Sequence, residues 1–167
     1  MKKNPYIKYV VIFIVITVIA FIAVGVPFAL HIAKGPDTAA WKTYYDGISD
    51  EDLCSLDRYW AYKKSTRGYS KDSLANSRVS IGEFYGLITV SSSRVKDATI
   101  EITVNSTLNS GELRIFVIRN DSEILTEIPP NETTTLTFVS EGSNTYTVKI
   151  LGYAANIKIE VDSTSGA

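Results

Sequence analysis

The sequence predicts a mainly β protein, in which an N-terminal transmembrane helix and a short helical segment precede an antiparallel β-sandwich of about seven strands. Three observations predict this class: a long apolar run near the N-terminus, alternating apolar and polar residues after residue 80, and polar turn signals roughly ten residues apart. The expected domains are 1–35 (cytoplasmic stub and anchor), 36–79 (partly helical juxtamembrane segment) and 80–167 (β-sandwich).

The apolar run from Tyr9 to Ala33 predicts the membrane span. Its 25 residues include no Asp, Glu, Lys or Arg. As a helix the run would reach about 37 Å, which exceeds a hydrocarbon layer about 30 Å thick. The alternative is a cleaved signal peptide, whose apolar region is shorter and ends in a small-x-small site that is poorly matched here.

Lysines set the expected orientation of this span. Three of them precede it and only Lys34 follows it closely. The positive-inside rule therefore predicts a single-pass plasma-membrane protein with a cytoplasmic N-terminus and an extracytoplasmic C-terminal domain.

Two short helices are expected between the span and the sheet. Asp37 is placed to cap a helix from Thr38 to Tyr45, with Gly47 as its stop. Ser49, followed by three acids, indicates a second start, because acids favour the positive end of a helix dipole. Apolar residues then recur at helical spacing, which predicts a helix over residues 50–64.

Residues 58–71 interleave basic and aromatic side chains, a pattern that predicts binding to an anionic surface. Outside a cell, lipid headgroups or an anionic wall polymer fit this pattern better than nucleic acid does. The interpretation we favour is that the aromatic side chains pack on the sheet while the charges are solvated. The candidate binding residues are Arg58, Trp60, Lys63, Lys64 and Arg67.

The β region begins near residue 80. Residues 99–105 and 156–161 alternate apolar and polar side chains, which indicates strands with one wet face. Residues 112–119 are apolar on both faces, which predicts a central strand. Further predicted strands are 81–90, 123–128, 132–139 and 145–151.

Turn signals separate these runs. They are Asn109-Ser110-Gly111, Arg119-Asn120-Asp121-Ser122, Pro129-Pro130-Asn131 and Glu141-Gly142-Ser143-Asn144. This rhythm is typical of a β-sandwich. Cys54 is the one cysteine, so no intramolecular disulfide forms, and we expect it to be a small buried residue.

One sequence pattern is distinctive. It consists of Ser110-Gly111-Glu112-Leu113, then Tyr146-Thr147-Val148-Lys149-Ile150, then Ala154-Ala155-Asn156-Ile157. Over about residues 98–161 it resembles small membrane-anchored extracytoplasmic β-sandwich proteins of low-GC Gram-positive bacteria. The resemblance implies the fold and the location. It carries over no functional residue.

Catalytic chemistry finds little support in the sequence. His31 is the one histidine and lies at the predicted membrane boundary, so a Ser-His-Asp or Cys-His site cannot be built in the domain. Clustered zinc ligands and a phosphate-binding glycine loop are missing from the sequence. We therefore predict no catalytic residues, no cofactor and no metal. A carboxylate pair acting on a glycoside is the open alternative.

Charge is distributed in blocks. Residues 37–57 carry a net charge of −5, residues 58–96 carry +6 and residues 97–167 carry −6. Such blocks pair within a chain or guide subunit association.

The expected function is therefore a non-enzymatic, membrane-tethered extracytoplasmic interaction or structural module. Its expected partners are the membrane and either another membrane or cell-surface protein or an anionic wall polymer. The alternatives are an accessory subunit of a larger membrane complex and a ligand-binding receptor domain.

Overall fold

The computed structural model describes the backbone of residues 37–55, 58–72 and 76–166, and the side chains of 37–55 and 77–166. Two helices, α1 (Thr38–Gly47) and α2 (Asp50–Ser55), precede four strands: β1 (Arg58–Asp72), β2 (Asn76–Arg119), β3 (Glu123–Ile128) and β4 (Thr133–Gly166). A mainly β protein with a short helical segment and an antiparallel sheet is thereby confirmed.

The membrane prediction concerns a different part of the chain. Neither α1 nor α2 combines the length and apolar character that a membrane crossing requires. The predicted span, Tyr9 to Ala33, lies outside the described residues.

Both helices begin where the sequence predicts. An Oδ1 atom of Asp37 accepts a hydrogen bond from the backbone N–H of Ala40 at 3.1 Å. At the start of α2, Ser49 Oγ accepts one from the N–H of Asp52, also at 3.1 Å. These bonds satisfy N–H groups that have no partner within the helix.

The prediction that the second helix continues to residue 64 is wrong. α2 ends at Ser55, and β1 begins at Arg58 and pairs with β2. The run from Tyr59 onward is rich in aromatic residues, which favour strands. The helical spacing is a local signal, whereas the partner strand that decides the conformation lies later in the chain.

β2 and β4 form a long two-stranded ribbon that pairs with itself. Residues 76–105 of β2 pair antiparallel with residues 133–162 of β4. Residues 99–119 of β2 pair in a second ladder with residues 146–166 of β4. The inner parts of both strands therefore have a neighbour on each side, and the ribbon is folded back upon itself.

A side-chain contact shows how far the ribbon folds. Ser93 lies opposite Tyr146 in the first ladder. Its Oγ is nevertheless 2.8 Å from the Oγ of Ser163, near the other end of β4. Parts of the sheet that are distant in the ladder thus meet around a common interior.

Fold-back leaves several segments of the described sheet that pair on one side only, among them residues 89–97 and 106–114 of β2 and the three segments that follow. β1 lies outside the first part of β2. β3 pairs with residues 115–119 at the end of β2. Residues 133–140 of β4 pair with residues 98–105 of β2.

The two faces of the sheet bury separate clusters. Neighbouring residues of a strand point to opposite faces, so Ile150 joins the main core while Leu151 joins a second cluster beneath the helices. Ile115 and Phe116 divide in the same way, so residues 115–118 of the predicted central strand 112–119 are covered on both faces, whereas Glu112 is exposed. The second cluster contains Tyr45, Leu53, Cys54, Leu87, Phe116, Ile118 and Leu151.

Two of the four predicted turns are turns, and two lie inside strands. Residues 120–122 join β2 to β3, and residues 129–132 join β3 to β4. Gly111 has a φ of +82° and Gly142 one of +71°, yet both lie within strands close to shifts of register. Glycine suits a bulge as well as a turn, so three long strands and the short β3 replace the seven short strands expected.

Candidate interaction surfaces

The structure brings the predicted binding residues together on the edge strand β1. The strand is 15 residues long, with irregularities in register between Trp60 and Tyr62 and between Arg67 and Ser70. Among the described residues it pairs with β2 alone. The cross-strand partners are Ile88 for Arg58, Gly86 for Trp60, Phe84 for Lys63, Glu83 for Lys64 and Ser80 for Arg67.

A second edge has the opposite character. Residues 133–140 of β4, here called the open edge, read Thr-Thr-Thr-Leu-Thr-Phe-Val-Ser and contain no charge and no proline. Within the described chain they pair on one side only, with residues 98–105. An edge strand of this kind presents backbone N–H and C=O groups to a further strand.

The open edge is anchored on its inner face. Leu136 and Phe138 are half-buried and pack against the main core. The Phe138 ring stacks on Tyr146 with centroids 5.5 Å apart and planes inclined by 20°. The backbone is therefore held in an extended conformation before any partner arrives.

The outer side chains of the open edge are accessible. Thr133, Thr135 and Thr137 are exposed, and Val139 is 71% exposed. Thr135 Oγ1 is 3.0 Å from Thr103 Oγ1 on the neighbouring strand. The surface is short, uncharged and rich in β-branched residues, which suit strand pairing.

The other two edges carry features that discourage uncontrolled pairing. β1 has five basic residues. β3 has Glu123 and Glu127, and two prolines follow it. Charges and prolines are the usual protection of sheet edges, so the open edge is the least protected of the three.

An acidic residue flanks each end of the open edge. Glu132 and Glu141 are exposed. Glu132 Oε1 accepts a hydrogen bond from Thr134 Oγ1 at 3.1 Å. A strand that docks here therefore meets a neutral centre with a negative charge at each end.

A buried lysine joins the sheet to α2. Lys149 has no solvent exposure, and its Nζ donates a hydrogen bond to the backbone carbonyl oxygen of Cys54 at 2.6 Å. The same Nζ lies 3.8 Å from Asp121 Oδ1. A buried ammonium needs such partners, because desolvation of an isolated charge is costly.

Cys54 is buried, as the sequence predicted. Burial is the main cause that raises the pKa of its thiol, although nearby Lys149 acts in the opposite direction. A thiol that stays protonated is a weak nucleophile. Cys54 therefore has a packing role in the described structure.

An acidic cleft of about 670 Å³ lies between α2 and the β2–β3 turn. Asp50 and Glu51 come from the helix, Asp121 comes from the turn, and Glu123 is the first residue of β3. In the part of the chain that the structure describes, no three His, Cys, Asp or Glu side chains are grouped as metal ligands. Sequence reasoning missed this cleft because its two halves are far apart along the chain.

Lys42 fastens α1 to the sheet. Its Nζ lies 2.8 Å from both carboxylate oxygens of Glu112 on β2 and 2.9 Å from Asp46. It also lies 5.0 Å from the centre of the Tyr45 ring. The hydrogen bonds that Lys42 donates to Glu112 and Asp46 raise the pKa of Lys42, which keeps the ammonium charged.

Comparison with known proteins assigns no family. Neither a protein-family model nor a curated protein matches this chain. Among solved structures, the chain is similar to the secreted serine protease VesC from Vibrio cholerae, with 9% sequence identity and a TM-score of 0.38. The match covers 76% of this chain and 27% of the protease chain. Such a likeness carries no argument about activity.

Proposed function

We propose that this chain is a non-enzymatic interaction module, tethered to the plasma membrane by its N-terminal segment, that binds a protein partner outside the cytoplasm. The open edge is the observation that carries the proposal. The tether and the location rest on the uncharged run from Tyr9 to Ala33 and on the lysines that precede it.

The proposed architecture is a β-sandwich made from the folded ribbon. The contact between Ser93 and Ser163 supports two layers around the main core. Side chains from both halves of the ribbon, such as Val79 and Val104, are buried in that core. A two-layer arrangement places the open edge at the rim of the domain.

Binding by strand addition follows from the chemistry of the open edge. A partner strand gains affinity from main-chain hydrogen bonds, and alternate side chains such as Thr135, Thr137 and Val139 supply a preference for its sequence. No catalytic group is required. The extended backbone is already ordered, which lowers the entropy cost of binding.

A second candidate function rests on β1. The sequence of this edge strand contains five basic residues, a composition that suits an anionic wall polymer or anionic headgroups. This binding would weaken steeply as salt concentration rises, because exposed charges are screened. Strand addition depends mainly on backbone bonds and is less sensitive to salt.

Crosslinking in intact membranes tests the proposal. Tagged full-length chain is crosslinked and purified, and the captured proteins are identified for wild type, Thr135→Lys and Thr103→Lys. Both variants remove one hydroxyl of the same 3.0 Å contact. Only Thr135 lies on the open edge, so Thr103→Lys is the matched control.

We expect one protein partner with wild type and with Thr103→Lys, and its loss with Thr135→Lys. Equal recovery with both variants would place the contact elsewhere, and recovery of no protein, not even a second copy of the chain, would contradict the interaction module. A further control replaces the span by another of equal length. A partner lost in that control would indicate the alternative, an accessory subunit recognised through its span.

A further inference from the structure

We propose that the partner at the open edge is a second copy of this chain, which contributes its β1 edge. This inference rests on the proposed function and adds the identity of the occupant. Both segments are edge strands of the described sheet. Pairing them would continue the sheet from one molecule into the next.

Charge complementarity selects β1 as the donor strand. β1 contains five basic residues and one acid, Asp72. The open edge is neutral and has Glu132 and Glu141 at its ends. The third edge segment, β3, has no basic residue, and its Glu123 and Glu127 are already paired with Arg119 and Arg114 of β2, so it offers no positive charge to these acids.

The spacing of the charges also matches. Arg58 and Arg67 are nine residues apart, and so are Glu132 and Glu141. In an antiparallel pairing, Arg67 falls in register with Glu132 when Arg58 falls in register with Glu141. The irregularity in β1 displaces this alignment by about one residue, or ~3.4 Å, which long Arg and Glu side chains accommodate.

The same register brings a favourable pair together near its Arg58 end. Trp60 falls opposite Val139, and an aromatic residue beside a β-branched one is a stabilising cross-strand pair. Pairing two copies of the open edge with each other is less favourable. It would bring two Glu132 and two Glu141 carboxylates close together, and like charges in such positions are destabilising.

This contact joins two different surfaces, so a bound pair still presents one free edge of each kind. Head-to-tail contacts of this type grow into rings or open rows. The expected product is therefore a series of oligomers and not a closed dimer.

Charge reversal tests the inference on the full-length chain in detergent. Sedimentation velocity is measured over a concentration series for wild type, Glu132→Lys/Glu141→Lys, Arg58→Glu/Arg67→Glu and the combined fourfold variant. We expect wild type to self-associate. Each double variant should weaken association about tenfold or more, and the fourfold variant should regain it because opposite charges again meet.

Several results would overturn the inference. They are a monomeric wild type at every concentration, a Glu132→Lys/Glu141→Lys variant that associates like wild type, or a fourfold variant that does not recover. Stronger association of that double variant would instead indicate two open edges in contact. If wild type is monomeric but crosslinking captures a different protein that is lost with Thr135→Lys, the proposed function stands. Only the inference that the partner is a second copy would then be rejected.

Discussion

Asp97 and Gly142 are joined at the bend of the ribbon. An Oδ1 atom of Asp97 accepts a hydrogen bond from the backbone N–H of Gly142 at 2.7 Å. Both residues have positive φ, +46° and +71°. The bond therefore fastens β2 to β4 where each strand leaves regular extended geometry.

Asp97→Ala should lower the free energy of unfolding by about 1–2 kcal/mol, because it removes a charged acceptor and places Ala in the left-handed region. Asp97→Asn keeps an acceptor and tolerates that conformation, so it should lose less. Urea unfolding of both variants measures the difference. An equal loss in the two would contradict a role for the side-chain bond.

Lys149→Ala should destabilise the domain by about 2–4 kcal/mol, because it leaves a cavity and an unpaired carbonyl at Cys54. Lys149→Met keeps the volume and should lose less. Hydrogen exchange should also speed up at α2. Unchanged exchange at Leu53 in the Ala variant would show that Lys149 does not hold the helix.

Gly152→Ala should destabilise by about 1–3 kcal/mol through overpacking. A Cβ at this position would lie 2.5 Å from Phe84 Cδ1 and 3.2 Å from Ala155 Cβ. Gly47→Ala is the control, since nothing lies within 4 Å of its added Cβ. Thermal unfolding compares the two, and an unaffected Gly152→Ala would refute the tight fit.

We expect ionisation of Tyr45 to lower the stability of the fold at alkaline pH. Burial, followed by the charge of Glu112, raises the pKa of Tyr45 from 10.0 to about 12. The neutral phenol is therefore favoured in the folded state. The stabilisation is complete below pH ~10 and is lost as pH rises toward 12. Tyr45→Phe should flatten this part of the stability–pH curve, whereas unchanged curvature would contradict the assignment.

Cys54 should react slowly with a thiol reagent in the native protein. Burial raises the pKa of its thiol and blocks access. Labelling should accelerate at least ~100-fold on unfolding in urea, since opening limits the native rate. Native labelling at the rate of a free peptide thiol would show that α2 does not cover it.

Local patterns predicted much of the fold. The alternation at 99–105 and the caps at Asp37 and Ser49 depend on neighbouring residues, and the structure confirms them. Two features depend on residues far apart in the chain. They are the pairing of β1 with β2 and the second ladder between β2 and β4. A pattern of neighbouring residues carries no information about pairing between distant segments.

The candidate surfaces divide in the same way. The basic residues of 58–71 were evident from sequence, but their place on an edge strand was not. Residues 132–139 were predicted as a strand without any indication that one side lacks a partner in the described sheet. Strand propensity describes a residue and its neighbours, whereas being an edge is a property of the whole sheet.

Hydrogen exchange at the open edge tests the central claim most directly. Amide exchange of residues 133–140 is compared between the full-length chain in its native membranes and the detergent-diluted monomer. A partner strand should protect the outward-facing amides in membranes at least ~10-fold, while the doubly paired residues 99–105 stay equally protected in both. Identical exchange at 133–140 in the two samples would contradict strand addition at the open edge.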